Sequence, residues 1–311
     1  MIRTVDLLAT WLINTMTEQQ LPSNTVVEAS IGSEVIAIGI PPRPAVLERI
    51  EHEMRQEEPN YSTLEKLISL DVGVSASLLK IANSAAFGFS GNIRSVHDAL
   101  HVLGLKNVAS AIAALSLKKV FGKVPNLERF WDSSASIAQV SAWLASQLKS
   151  TEYKIKPEEA YTFGLFRDCG IPLLMFNFSD YIDVLKLANS EDVMSFTELE
   201  NEELGFNHAM MGAKLVEEWS LPDEFIMGVA YHHNSEAITG YLSLTPEVSR
   251  YFIALSQLAE YLFQRQTHLN KTSEWKKLGN ACMQTLKLTP DDVENLVNAV
   301  AAEKIHLDRV S

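Results

Sequence analysis

The chain has 311 residues, of which 47% are hydrophobic and 21% are charged, and its formal net charge is −13. This composition is that of a folded globular protein and excludes disordered and collagen-like chains. Because the acidic balance repels nucleic-acid phosphates and anionic lipid head groups, we expect neither nucleic acid nor a membrane as a partner.

The N-terminal region, residues 1 to 40, is predicted to contain a helix followed by an arm. Apolar residues recur at helical spacing between residues 5 and 20. The stretch from Val26 to Ile40 is rich in β-branched residues and contains Gly32 and Gly39, which predicts a short hairpin or an extended arm. The first residues are acidic too early for a signal peptide, so we expect a cytoplasmic protein.

A series of short helices is predicted between residues 41 and 122. The run Pro41-Pro42-Arg43-Pro44 suits the first turn of a helix, where proline has no backbone donor to lose. Capping boxes at Ser62–Glu65 and Ser95–Asp98 predict two further helix starts. Gly104 fits a helix end, where a positive φ is least costly for glycine.

A short joint at Gly122–Asn126 divides the helical region into residues 41–122 and 123–264, and a C-terminal helical extension follows at 265–311. The later helices are marked mainly by proline followed by an acidic residue, which suits the helix dipole. We therefore predict an all-α, multi-helix bundle in two packed parts. The later helix starts are predicted near Leu127 and Asn207 and at Pro157, Pro222, Pro246 and Pro290.

The segment Ile68–Leu105 carries the most specific motif of the chain. It resembles the HDOD family, in which a proline-rich lead-in precedes an Asp, an Asn-Ser pair and a helix ending in Leu-Gly. The resemblance continues more loosely to about residue 260 and implies an all-α relative of the HD metal-dependent phosphohydrolases. From the residues alone, those of the motif are helix-cap and packing residues. The matching positions are Asp71, Leu78, Leu79, Asn83, Ser84, Phe87, Ile93, Ser95, Ala99, Leu103 and Gly104.

The resemblance also implies where an HD metal site would lie. An HD hydrolase holds a divalent metal with an early His, a His-Asp doublet and a late Asp, and it leaves a position open for water. The corresponding positions here are Ser133, Arg167-Asp168 and Gln257. Because a guanidinium cannot lose its proton and repels a metal, only Asp168 of the four expected ligands is present.

Three histidines keep a metal site open as an alternative. His208, His232 and His233 match positions where related two-metal enzymes recruit further imidazoles, and with Asp168 they form a substitute ligand set. The interpretation we favour gives them structural roles at helix ends. We then expect no metal or other cofactor, with Asp168 paired to a cation or a backbone donor and Arg167 pointing elsewhere.

These features predict a non-catalytic bacterial regulatory module that binds a protein partner in a signalling pathway, with a homodimer left open. One alternative is a small-molecule sensor in which Arg167 captures an anion. The other is a metal-dependent phosphohydrolase that uses the substitute ligand set. Cys169 and Cys282 lack CxxC spacing and are predicted to be reduced, packed thiols.

Overall fold

The computed structural model describes residues 26–31, 34–83, 93–122, 124–125, 127–148, 155–241, 245–269 and 272–302. Strands β1 (Val26–Ile31) and β2 (Glu34–Gly39) pair antiparallel, with Val26 opposite Gly39 and Ile31 opposite Glu34. Of the two forms predicted for residues 26–40, the structure has the hairpin. The helix predicted between residues 5 and 20 lies outside the described residues.

The rest of the regular structure in the described residues is helical, which confirms the predicted all-α class. The first helices are α1 (Ala45–Met54), α2 (Tyr61–Ser69), α3 (Val72–Ala82) and α4 (Val96–Phe121). They are followed by α5 (Glu128–Gln147), α6 (Pro157–Phe166), α7 (Gly170–Asn177), α8 (Tyr181–Ser190), α9 (Phe196–Leu204), α10 (His208–Glu218) and α11 (Asp223–Tyr231). The last are α12 (Ser235–Thr239), α13 (Glu247–Thr267), α14 (Glu274–Leu286) and α15 (Pro290–Ala302).

Side-chain caps decide where two of the early helices begin. The Ser95 hydroxyl accepts the backbone N–H of Asp98 at 3.0 Å, so the predicted start of α4 is confirmed. The capping box predicted at Ser62–Glu65 is wrong. Helix α2 begins earlier because the Asn60 side-chain oxygen accepts the N–H of Thr63 at 2.9 Å and satisfies the free donor first.

Helix α4 is bent at Gly104, whose φ of 75° is accessible to glycine without a steric penalty. It packs against α1, α2, α3 and α6. By length and composition α4 could cross a membrane, but 61% of its most apolar window is buried inside the protein. Such burial is that of the central helix of a globular core.

One hydrophobic core extends from Ile38 to Val300. Within it α5 packs against α6 and α13, and α13 packs against α14. The predicted boundaries at 122 and 264 fall inside this shared core and stay a prediction. The proline-marked helix starts are confirmed, since α6, α11, α13 and α15 begin at or directly after Pro157, Pro222, Pro246 and Pro290.

Close contacts hold the helices of the second half together. A Cβ atom at Gly170 would lie 1.9 Å from the carbonyl oxygen of His208, so glycine is required where α7 approaches α10. The indole N–H of Trp219, at the end of α10, donates to the Pro41 carbonyl oxygen at 3.1 Å. This bond ties the proline-rich lead-in to the helix that begins at His208.

The two cysteines are free and buried, as predicted. Burial raises the pKa of both the Cys169 and the Cys282 thiol well above the usual range, so both are protonated at neutral pH. A protonated, buried thiol is a packing group and a poor nucleophile.

Candidate functional site

Four side chains able to bind a metal come together from three parts of the chain. Asp168 lies in the turn between α6 and α7, His208 is the first residue of α10, and His232 and His233 directly follow α11. One ligand atom of each lies within 4.8 Å of the others. The three imidazoles are 0%, 0% and 6% exposed. The four residues of the substitute ligand set, which the sequence left open as an alternative, thus come together inside the bundle.

Each of the three imidazoles has its Nδ1 atom against an oxygen acceptor. Such an acceptor fixes the proton on Nδ1 and leaves Nε2 of the neutral ring with a lone pair. Carboxylates and backbone carbonyls are also the usual supports of metal-binding histidines. The pairs are His208 with Glu200 at 2.7 Å, His232 with the carbonyl oxygen of Val229 at 2.7 Å, and His233 with Glu274.

The Nε2 atoms of the three imidazoles face one another. Nε2 of His208 is 3.3 Å from Nε2 of His232 and 3.2 Å from Nε2 of His233. Oδ1 of Asp168 is 3.0 Å from Nε2 of His232 and 3.8 Å from Nε2 of His208. Ligand atoms bound at ~2.1 Å to a tetrahedral metal lie about 3.4 Å apart. Because lone pairs at this distance repel unless a cation or proton lies between them, the donor set fits a divalent metal.

Burial and neighbouring charges give the imidazoles different protonation states. Burial acts against the charged form of His208, but the carboxylates of Glu200 and Asp168 outweigh it and raise its pKa. Burial and the adjacent His233 lower the pKa of His232 to about 3. His232 is therefore neutral at pH 7, which is the form that binds metal. His208 therefore takes up a proton more readily than His232 does.

Arg167 lies against the other oxygen of Asp168. Its Nε and Nη2 atoms donate to Oδ2 of Asp168 at 3.1 and 2.7 Å, and Nη2 also donates to Glu260 at 2.8 Å. Its Nη1 atom donates to the carbonyl oxygen of Ser256 at 3.1 Å. The prediction that Arg167 points away from Asp168 is wrong, because the two residues lie in a turn and not on a helix, so neighbouring side chains can meet.

This ion pair controls the charge of the carboxylates. Burial acts to raise the pKa of Asp168, but Arg167 and then His232 outweigh it and hold that pKa well below its usual range. Burial raises the pKa of Glu260, and Arg167 offsets only part of that effect. Asp168 is therefore the more firmly ionised of the two carboxyls.

Helix α13 contributes to the site both Gln257, which the resemblance places at the late ligand position, and a carboxylate that the sequence analysis did not name. Gln257 is buried and donates its side-chain N–H to the carbonyl oxygen of His232 at 3.0 Å. The carboxylate comes from Glu260, which pairs with Arg167. Ser133, on α5, lines a cavity of about 240 Å³ together with Arg167, Asp168 and Glu260. Ser133 and the Arg-Asp doublet therefore share one cavity, whereas Gln257 supports His232.

Besides Glu260, two carboxylates of the site were not predicted from the sequence. Glu200 is fully buried in the acidic helix α9, four residues after the buried Phe196. This spacing places Glu200 on the apolar face and is the signal that could have identified it. Glu274 belongs to the C-terminal extension, which had no predicted role. Burial acts to raise its pKa, but His233 and Lys277 outweigh burial and lower it to about 2.

The residues of the HDOD-like motif stabilise helix ends and the core. Asp71 caps α3, and the Asn83 side chain bonds both the N–H and the carbonyl of Ile93, at 2.8 and 2.7 Å. Leu103 is buried in the core. Ser84 lies outside the described residues. These contacts are those of residues needed for folding.

The fold and the site together define an all-α, HD-domain-like protein whose buried site contains the Arg167–Asp168 ion pair. The family model of the HDOD domain matches residues 40–235. Because this match covers more than half of the chain, the protein belongs to the HDOD domain family, as the resemblance predicted. The matched segment contains Asp168 and the three histidines, but it ends before residue 260.

Several proteins are similar to this chain. An HDOD domain protein of unknown function from Geobacter sulfurreducens is 19% identical with a TM-score of 0.59, and 97% of this chain and 96% of that chain are covered. A protein named provisionally as a metal-dependent phosphohydrolase, from Shewanella amazonensis SB2B, is 14% identical with a TM-score of 0.58, with 96% and 98% covered. An uncharacterised protein from Treponema pallidum is 24% identical over 196 residues. These residues are 63% of this chain and 38% of that protein, so the match spans well under half of the relative's length. At these identities the likeness to the solved structures shows the fold alone.

Proposed function

We propose that this HDOD protein is a cytoplasmic regulatory module that binds a protein partner in a bacterial signalling pathway and does not hydrolyse phosphoesters. The supporting observation is the Arg167 guanidinium, which is bonded to both Asp168 and Glu260. An HD-type hydrolase needs this carboxylate to hold a metal that keeps a position open for water. Here one oxygen of the carboxylate is neutralised by a permanent cation.

Access to the histidines also favours a role other than hydrolysis. The cavity is lined by Ser133, Arg167 and Asp168, and none of its described lining residues is one of the three histidines. The imidazoles lie on the far side of Asp168 and are buried. A phosphoester in the cavity would meet a closed ion pair and would not reach the imidazoles.

The histidine cluster remains suited to a divalent metal, which would be held by Asp168, His208, His232 and His233. Imidazole ligands suit zinc, iron and nickel. Four protein ligands form the closed set that is typical of structural metal sites. A metal bound there would stabilise the fold by linking α10, the end of α11 and the turn before α7.

A turnover assay distinguishes the regulatory module from an enzyme. Purified protein is loaded in separate samples with Zn²⁺, Mn²⁺ or Fe²⁺ and assayed with bis-p-nitrophenyl phosphate and with cyclic dinucleotides. We expect no turnover above that of Asp168→Asn. Arg167→His, which restores the His-Asp doublet, is the matched variant in which activity could be gained. Wild-type turnover that is lost in Asp168→Asn would contradict the proposal.

The regulatory role is tested in the host bacterium. We expect deletion of the gene to change transcript levels relative to the parent strain. The control strain carries the wild-type gene at the same locus. Unchanged transcripts in the deletion strain would contradict a regulatory role.

The second candidate function is a metal-dependent phosphohydrolase that uses the substitute ligand set. The observation that favours it is the convergence of three Nε2 atoms and one carboxylate oxygen. A metal held by Asp168, His208, His232 and His233 would supply an activated water for phosphoester hydrolysis. This candidate predicts that turnover and metal content fall together in His208→Gln and Asp168→Asn, and it fails if metal binds at full stoichiometry without turnover.

A further inference from the structure

A cavity of about 240 Å³ lies between α5, α7, α8 and α13, beside the Arg167–Asp168 pair. Most of its wall is apolar and includes Phe130, Ile171, Met175, Leu185 and Phe263. The volume corresponds to roughly eight water molecules at ~30 Å³ each. A cavity of this size and character fits a small molecule with an apolar body.

The polar floor of the cavity consists of Arg167, Asp168 and Glu260. Two carboxyls share one guanidinium there, so with both ionised the formal charge of the floor is −1. The Arg167 side chain is 3% exposed, whereas those of Asp168 and Glu260 are 18% and 14% exposed. The floor therefore presents carboxyl oxygens to the cavity, and these oxygens accept hydrogen bonds.

The guanidinium has little capacity left for an anion. Its Nε and both hydrogens of Nη2 are used by Asp168 and Glu260, and Nη1 donates to the Ser256 carbonyl oxygen. A phosphate or carboxylate at the floor would lie against two carboxyls, and most N–H groups of Arg167 already donate to other partners. Arg129 lies at the cavity wall but is exposed, so water and salt screen its charge. The floor thus disfavours the anion that the sequence allowed as a ligand of Arg167.

We propose that the cavity binds a small amphipathic organic cation, such as a primary amine, with its ammonium group on Asp168 and Glu260 and its apolar body between α5, α7 and α8. This inference rests on the proposed function, because it assigns the cavity to a regulatory ligand and not to a substrate. The ammonium donates to the carboxyl oxygens of Asp168 and Glu260 alongside Arg167, since a carboxylate oxygen accepts more than one hydrogen bond. Since the other oxygen of Asp168 faces His232, binding is communicated to the histidine cluster.

The experiment compares three probes of equal chain length: hexylammonium, 1-hexanol and hexanoate. Each is titrated into the full chain and followed by ligand-observed NMR and calorimetry. We expect hexylammonium to bind about tenfold or more tightly than hexanoate, because like charge at the floor repels the carboxylate. Hexanol should bind with intermediate affinity. Equal or tighter binding of hexanoate would overturn the proposal.

Two pairs of variants locate the binding site. Met175→Trp fills the cavity and should abolish hexylammonium binding, whereas Phe176→Trp, at an exposed neighbouring position, should leave it unchanged. If Met175→Trp does not fold, Leu185→Phe is compared with the exposed Leu187→Phe. Unchanged binding in the folded cavity variants would overturn the proposal.

The proposed regulatory function and the proposed amine site are refuted by different experimental results. Asp168-dependent turnover of a phosphoester would refute the regulatory function whatever the amine does. Absent or unselective probe binding would refute the amine site and leave the turnover result as it stands.

Discussion

The Arg167→Met substitution tests whether the guanidinium of Arg167 stabilises the site. Met keeps most of the length and apolar volume of the side chain but removes the charge and every N–H donor. Asp168 and Glu260 would then face each other in the interior without a shared cation, and the Ser256 carbonyl would lose its donor. Breaking a buried ion pair by removal of one partner costs far more than the pair contributes as a whole.

The expected loss is about 4 kcal/mol in the free energy of unfolding, within the range for one-sided removal of a buried partner. The loss should be smaller at lower pH. Without the guanidinium the pKa values of both carboxyls rise, because burial and mutual repulsion are then no longer offset by a shared cation. Protonation of one carboxyl as the pH falls removes that repulsion, so the variant should approach the wild type at acidic pH.

Urea unfolding in EDTA, followed by tryptophan fluorescence, measures the effect at pH 7.5 and pH 5.5. The matched control is Arg265→Met, which removes the same side chain from an exposed ion pair with Glu294. We expect the control to unfold close to the wild type, because water and salt screen exposed pairs. If Arg167→Met and Arg265→Met have similar unfolding midpoints at pH 7.5, the assigned role of Arg167 is refuted.

Three further predictions concern the support of the site and the helix starts. Glu274 has a pKa lowered to about 2 from 4.5, so it stabilises the fold above pH 4.5 and loses that effect as the pH falls toward 2. Glu274→Gln should therefore lower Tm at pH 6 by calorimetry, and a deficit that does not shrink below pH 4.5 would contradict this assignment. Gly170→Ala should lower the free energy of unfolding in urea by about 3 kcal/mol, because its Cβ has no room beside α10. Gly73→Ala is the control: the nearest atom to its Cβ would be at 3.4 Å, so it should raise the free energy of unfolding by up to ~1 kcal/mol. Equal effects of the two alanines would refute the close approach. In the same assay Ser95→Ala should lower the free energy of unfolding by about 1 kcal/mol and Ser62→Ala by less than ~0.5 kcal/mol. A larger loss at Ser62 than at Ser95 would show that Ser62 does cap a helix.

The sequence alone determined the features that depend on neighbouring residues. Proline followed by an acid marks the starts of α6, α11, α13 and α15, because φ, the missing donor and the helix dipole act within one turn. The same holds for the Ser95 cap. The motif from Asp71 to Gly104 identified the family, and the alternative ligand set named from the sequence contains the four residues that the structure brings together.

Only the tertiary structure decided what those residues do. The sequence analysis expected Arg167 to point away from Asp168, and it did not name Glu260, the second carboxylate that pairs with Arg167. Both differences have one cause: the partners of a buried charge are chosen by which segments pack together, and that packing has no local sequence signal. Glu274 lies 41 residues after His233 and bonds it because α14 packs on α12 and α13. Long-range contacts therefore produce two features of the site. One is the geometry that lets the histidines form a group able to bind a metal, and the other is the ion pair that forms the floor of the neighbouring cavity.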